Sequence, residues 1–378
     1  MKNLVQLKRS RVALAAVAAA VVVAGLAGIA AGQGNAAPKG PFVTLENGVL
    51  TVDGTNASDN IALRLQAGQP GILQVDLGDD GSADFSFNRA AVASIAVDGG
   101  NGDDRLRIDE SNGVFANTIP TTIDGGNGND ELTGGAGAET LLGGNGHDLL
   151  FGGGSGTLSG GNGDDTLAGG PGAETLLGGN GNDSIDGNKG NDASFMGNGD
   201  DTFVWDPGDG SDVIEGQKGE DTMVFNGAGV AEKVDLTANG NRLKFFRDVA
   251  NVTMDTAGVE RVDFNALGGV DVVTVNDLSG TDVNAVNVDL TGTLGGNVGD
   301  GAADRVIVNG TNGDDAIDVS GDSAGVKVSG LAATVGVFHS EAANDRLEIN
   351  TLAGIDTVNP AGLAAGLIQL FVDGVLVP

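Results

Sequence analysis

The sequence predicts an all-β fold: a β-solenoid of short stacked strands with further β-rich coils on either side. Three observations lead there. From Gly125 to Val204 the chain repeats in units of nine: GGNGNDELT, GGAGAETLL, GGNGHDLLF, the eight-residue GGGSGTLS, GGNGDDTLA, GGPGAETLL, GGNGNDSID, GNKGNDASF and MGNGDDTFV. The eighth place is apolar at Leu132, Leu141, Leu150, Leu167, Leu176, Ile185 and Phe203, with Leu158 in the matching role of the short unit and Ser194 as the one break. Aromatic residues make up 4% and cysteine is absent. That leaves no disulfide framework and little material for a large globular core, whereas a coil in a stack buries only against its neighbours.

Within a unit the first six residues suit a tight turn and the last three a short strand. Glycines at the first, second and fourth places let the backbone adopt positive φ without a Cβ penalty and leave carbonyl oxygens open. Side chains alternate across a strand, so the eighth-place row points inward. Collagen would need glycine at every third place and abundant proline; here the period is nine and Pro171 is the only proline of the tract. A plain glycine linker would not hold an apolar residue at a fixed place.

The sixth place carries a carboxylate. Carboxylates together with open carbonyls are the ligands of a hard cation that takes six to eight oxygens in flexible geometry, which is calcium; magnesium demands a tighter octahedron. The candidate metal ligands are Asp130, Asp148, Asp165, Asp183 and Asp201, joined by Asp192 in the tandem run, by Asp212 and Asp221 in two following units, and by Asp104 in a lone preceding unit, GGNGDDRLR. The glycines of the same turns are Gly126, Gly128, Gly144, Gly146, Gly161, Gly163, Gly179, Gly181, Gly197 and Gly199. The formal charge of −33 fits a cation partner and argues against nucleic-acid binding, which needs a basic face.

On these units the stretch resembles the RTX, or haemolysin-type calcium-binding, repeat family. The resemblance covers residues 99–224 well and the flanks only loosely. It implies that two nonapeptides form one coil of a right-handed parallel β-roll, with several Ca2+ ions between turns stacked on the same edge, two repeats apart. Alternate units then fall on opposite edges. One edge carries Asp130, Asp148, Asp165, Asp183 and Asp201; the other carries Glu139, no acid in the short unit, Glu174 and Asp192. The expectation is a well-formed first edge holding about four ions, two carboxylates to each, and a second edge that is weak or empty over most of its length.

Residues 1–37 read as a secretory signal segment, with Lys2, Lys8, Arg9 and Arg11 before the apolar run Val12–Ala31 and small residues at Ala36 and Ala37. If uncleaved, the run is long enough to anchor the chain in a membrane. Residues 38–98 form a β-rich flank with turn signals at Asn47-Gly48 and Asp80-Gly81. Residues 99–224 are the calcium-binding roll with its core at 125–204, and 225–378 a diverged solenoid. There a short alternating strand closed by asparagine recurs at Asn265, Asn276, Asn309 and Asn350, read as a residue that tolerates turn conformations. The flanks echo each other: Leu50–Ile61 and Val306–Ile317 share a GTN turn closed by Asp59 and Asp315 respectively. Asp315 is expected to hold a stray ion and Asp59 to be structural. Trp205, in a two-residue insertion, is read as packing at the join. The basic run Arg242–Arg247 is read as an exposed strand, with contact to an acidic polymer as the alternative.

Catalysis needs a constellation that the chain does not display. His147 sits at the variable fifth place of a turn, and His339 has no second histidine beside it. The sequence therefore reads as a non-enzymatic calcium-binding protein, secreted or at the cell surface, whose roll folds on meeting extracellular Ca2+. The alternatives are an adhesion or matrix protein that uses the roll as a rigid spacer and contacts an extracellular glycan or surface partner through its flanks, and, less favoured, a β-helix enzyme acting on acidic polysaccharide.

Overall fold

The structure, a computed structural model, describes residues 40–378. The expected secretory segment 1–37 lies outside the described residues. Among those described there is no α-helix. Strands gather into two long sheets, one of 17 and one of 16 strands, that share a single apolar core.

Each coil of the repeat region contributes one strand to each sheet. Thr121–Asn127, Thr140–Asn145, Thr157–Asn162, Thr175–Asn180, Ala193–Asn198 and Val213–Lys218 stack in parallel in the first sheet. Glu131–Thr133, Leu149–Phe151, Thr166–Ala168, Ser184–Asp186, Thr202–Trp205 and Thr222–Asn226 do so in the second. Two nonapeptides thus make one coil. Leu141 lies between Ile123 and Leu158, and Leu150 between Leu132 and Leu167. The eighth-place residues form one inward row in each sheet and are almost wholly buried. The missing residue of the short unit is absorbed in the turn at 152–156, so the register on either side is undisturbed.

The exception, Ser194, has a packing reason. It is fully buried, in register with Leu176 and Ile214. Two residues on, facing the same core, Met196 is fully buried where the neighbouring coils have Gly178 and Gly216. The Leu–Gly pair of one coil becomes Ser–Met in the next, which exchanges volume between adjacent positions and keeps the core filled.

The roll runs into its flanks without a break in the ladders. Val49–Thr55 pairs with Ser94–Asn101, and this in turn with Thr121–Asn127. Asn47-Gly48 turns the hairpin between Phe42–Glu46 and Val49–Thr55. On the other side the first sheet makes an antiparallel excursion: Val252–Ala257, Arg242–Arg247 and Lys233–Asn239 lie in that order between Val213–Lys218 and Val272–Val275.

The Arg242–Arg247 strand is therefore an interior strand, not the exposed one read from its charges. Arg247 is buried on Glu232 with its guanidinium 5.2 Å from the Trp205 ring. Arg242 reaches Glu215 and Asp255. Trp205 stacks on Phe225 with centroids 4.0 Å apart and donates its indole N–H to the Gly210 carbonyl at 2.9 Å. The narrow leucine core widens here into an aromatic cluster completed by Phe245 and Phe264.

The recurring asparagines also have a different role from the one expected. None has positive φ. Instead the side-chain amide of Asn350 donates to Asn309, that of Asn309 to Asn276 and that of Asn265 to Asn226, each at 2.8 Å. They are rungs between coils.

The volume exchange at Ser194 makes a prediction. Ser194→Leu over-packs against Met196 and should cost about 1–3 kcal/mol, whereas Ser194→Ala, which removes a buried hydroxyl without a hydrogen-bond partner, should be neutral or stabilising. Urea denaturation at saturating calcium measures both; equal stability of Ser194→Leu and wild type would contradict the packing account.

Candidate metal centre

The six-residue turns entering the second sheet form the first edge. Each ends in the sixth-place aspartate, and the backbone amide of one aspartate donates to the carboxylate of the next coil's. Asp104 donates to Asp130, Asp130 to Asp148, Asp148 to Asp165, Asp165 to Asp183, Asp183 to Asp201 and Asp201 to Asp221, at 2.7–2.9 Å. Asp59 continues the column below Asp104 and Glu260 continues it above Asp221. One carboxylate oxygen per residue is thereby committed to holding coils together.

The other oxygen is the informative one. In Asp104, Asp130, Asp148, Asp165, Asp183, Asp201 and Asp221 it is buried and has no hydrogen-bond partner. A buried carboxylate without a counter-charge or donor is strongly unfavourable. In six of the seven turns this oxygen faces the first-place glycine; the turn closed by Asp201 has Met196 there. A Cβ added to Gly178 would lie 2.4 Å from the Asp183 oxygen and 2.3 Å from the carbonyl of Met196 in the next coil. In those six turns the first-place glycine is favoured by space and not, as expected, by positive φ. The second- and fourth-place glycines do have positive φ, between 100° and 137° at the ten candidate positions. A Cβ on Gly128 would strike the Gly102 carbonyl below it at 1.8 Å.

Among the described residues no three carboxylate or histidine side chains converge on one point. The donor set consists of carboxylate oxygens on successive turns beside main-chain carbonyls. All of it is hard oxygen, which suits calcium and not a soft or nitrogen-preferring metal.

Two further ladders, not anticipated from the sequence, run up the same edge. Third-place asparagines hydrogen-bond side chain to side chain from Asn56 through Asn101, Asn127, Asn145, Asn162 and Asn180 to Asn198, at 2.6–3.0 Å, and Lys218 donates to the last. Fifth-place side chains accept the backbone amide of the next coil's fifth residue from Asp103 up to Glu220. His147 belongs to this ladder: its Nδ1 accepts the Asp164 amide at 2.8 Å.

Comparison with protein families gives a match to the RTX calcium-binding nonapeptide repeat in four copies, over residues 121–150, 151–179, 169–203 and 208–227. The segment is an RTX calcium-binding array. Compared with curated proteins, the chain has no significant match. Asp104 lies outside the matched residues but shares the RTX column and its unpartnered oxygen.

The second edge of the RTX array is uneven. Glu139 folds back on the Gly137 amide of its own turn. The short unit supplies Gly156 in place of an acid. Above it three acids stack on successive rungs, with the Glu174 amide on Asp192 and the Asp192 amide on Asp212, both at 2.8 Å. Both oxygens of Glu174 and the second oxygens of Asp192 and Asp212 are buried without a partner. The upper part of this edge thus offers donors of the same kind as the first, where a weak or empty edge was expected. Glu174 contributes to it despite the longer side chain.

In the two GTN turns of the flanks the second oxygen finds a partner within the protein. At Asp59 it accepts both the amide and the hydroxyl of Thr55, at 2.6 and 2.8 Å. At Asp315 one oxygen accepts the Thr311 amide at 2.7 Å and the other its hydroxyl at 3.0 Å. Where a stray ion was expected at Asp315, the threonine of the GTN turn hydrogen-bonds that carboxylate. At Glu232 the Arg247 guanidinium pairs with one oxygen, and the other is buried without a partner. His339 pairs with Asp289 at 2.8 Å, away from either column.

Burial shifts the titration of the array. It pushes the Asp148 carboxyl from 3.8 to about 7, opposed by the Asp130 amide and reinforced by the Asp165 and Asp130 charges. Asp183 and Asp221 are likewise raised to about 7, and Asp165 to about 6, with burial the first cause in each. In the absence of metal the folded array holds these protons more tightly than the unfolded chain. Its stability is then greatest below the ordinary aspartate range and falls as pH rises through the folded values. In chelator, far-UV circular dichroism should show β signal growing from about pH 8 to about pH 5, protons standing in for the cation; an unchanged spectrum across that range would refute this.

Proposed function

We propose that this is an exported calcium-binding protein whose RTX array is unfolded where calcium is scarce and folds when it meets calcium outside the cell. The observation that carries the reading is the column of seven buried, unpartnered carboxylate oxygens from Asp104 to Asp221. The apolar row beneath it is only one side chain wide in each sheet, so hydrophobic burial has little to set against so much like charge.

Each interval between successive aspartates offers one oxygen from each and the carbonyls of the turns, which on the first edge gives six intervals between the seven residues. Glu174, Asp192 and Asp212 offer two more on the second edge. A bound calcium ion supplies the charge that the facing carboxylates need and ties neighbouring turns together. Ligand binding then becomes folding free energy. The glycines keep the turns slim enough for carbonyls to stack, and the asparagine and fifth-place ladders fix the spacing at which the carboxylates face each other. The carboxylates act in this reading as ligands, with no acid–base role.

The location rests on the basic, then apolar, segment 1–37. Extracellular modules bind calcium at about 10⁻⁴–10⁻³ M, a range reached outside cells and not in the cytosol, so a glycine- and aspartate-rich tract of this charge would stay extended until exported.

Titration of the full chain with calcium, followed by far-UV circular dichroism with magnesium as control, tests the proposal. A cooperative gain of β signal at sub-millimolar to millimolar calcium, weakened in Asp165→Asn and Asp183→Asn and absent with magnesium, is expected. A chain that is fully β in chelator at neutral pH, and indifferent to calcium, would refute the folding switch and favour a preformed spacer.

A further inference from the structure

The turn-closing carboxylate does not end with the RTX array. In the coils beyond it Glu232, Asp271, Asp304 and Asp345 each directly precede a strand of the first sheet, or lie one residue before it, and continue the rung pattern. The amide of Glu232 donates to Asp271, that of Asp271 to Asp304 and that of Asp304 to Asp345, at 2.8, 2.8 and 3.1 Å. These turns lack the glycine triplet and lie outside the residues matched to the repeat family.

Two of them carry a second acid that is not found at that place in the array. Asp300 lies in the turn closed by Asp304, and Glu341 in the turn closed by Asp345. Asp300 accepts the Gly269 amide at 2.9 Å, two residues before Asp271, and Glu341 accepts the Gly301 amide at 2.7 Å. The turn 266–271 therefore rests its backbone on both Asp300 and Asp304, which gathers three carboxylates around one turn. Among the described residues none of Asp271, Asp300, Asp304, Glu341 and Asp345 forms an ion pair with lysine, arginine or histidine.

The acids in this group differ in what they still have to give. Asp345 has both oxygens engaged, by the Asp304 and Glu341 amides, and so has Asp300, by the Gly269 and Ala302 amides. Glu232 has Arg247 on one oxygen and nothing on the other. Asp271 is 1% exposed, and its second oxygen is buried with no partner at all. We propose that a calcium ion binds between the turns 266–271 and 299–304, held by Asp271 and Asp304, as a site separate from the RTX array. Acids at the second and sixth places of one turn distinguish this arrangement from the nonapeptide, whose second place is glycine. Burial, then the charges of Asp304, Glu232 and Asp300, raise the Asp271 carboxyl, in keeping with a group that lacks a counter-charge.

Ion counting on the full chain tests this independently of the folding switch. Bound calcium per chain is measured by equilibrium dialysis for wild type, Asp271→Asn and Asp304→Asn. Asparagine retains an acceptor for the Glu232 or Asp271 amide. Each variant should bind one ion fewer than wild type, while the calcium-driven circular dichroism transition of the array keeps its midpoint. An unchanged ion count in both variants would overturn the site. Should Asp271→Asn not fold, wild-type crystals grown with calcium decide by anomalous scattering: a peak between the two turns supports the site, and peaks confined to the array sink it. Failure of the array's own transition would leave this count readable, since it concerns other residues.

Discussion

The structure depends on one hydrogen bond repeated up the stack: the amide of a turn-closing acid in one coil, donated to the carboxylate of the acid in the coil above. It fixes the spacing of the coils and places a carboxylate at every level in a buried position. It also leaves the second oxygen of each acid unassigned. What meets that second oxygen differs along the chain. In the GTN turns of the flanks it is Thr55 or Thr311. In the RTX array nothing in the protein meets it. The difference between a GTN turn and an array turn thus comes down to a single oxygen atom.

That distinction explains why the two ends of the described chain look unlike its middle. A GTN turn spends its second place on threonine, whose amide and hydroxyl satisfy the aspartate, and gives up the positive-φ glycine. The RTX turn keeps the glycine and so cannot satisfy its own acid. The aromatic cluster around Trp205 and Phe225 sits where one regime passes into the other, and the buried Arg247–Glu232 pair is at the same junction.

The period of nine made the coil legible in the sequence, because glycine, aspartate and leucine each recur at the place where the turn, the ligand and the core need them. The alternation of Asp-rich and weaker units correctly separated two edges. What could not be read were relations between residues 17 to 45 positions apart: the division of labour between carboxylate oxygens, the asparagine ladder, and the steric reason for the first-place glycine. Asn309 and Asn350 read as turn residues because a single sequence shows their neighbours along the chain and not those above and below. Asp271, Asp304 and Asp345 escaped notice because their turns have lost the glycines that make an RTX turn recognisable. The spacing between them, 33 and 41 residues, is also irregular. Arg242–Arg247 was misread for a related reason: the acids that neutralise it come from other strands.

The rung hydrogen bond also has a direction. In every coil the amide points toward the C-terminal neighbour and the carboxylate toward the N-terminal one. A coil is therefore completed by its successor, and a stack cut short at its C-terminal end is left with an open backbone donor, while one cut at its N-terminal end is left with a carboxylate that water can solvate. The stack therefore has two unlike ends, as a polar filament does, although it is a single chain.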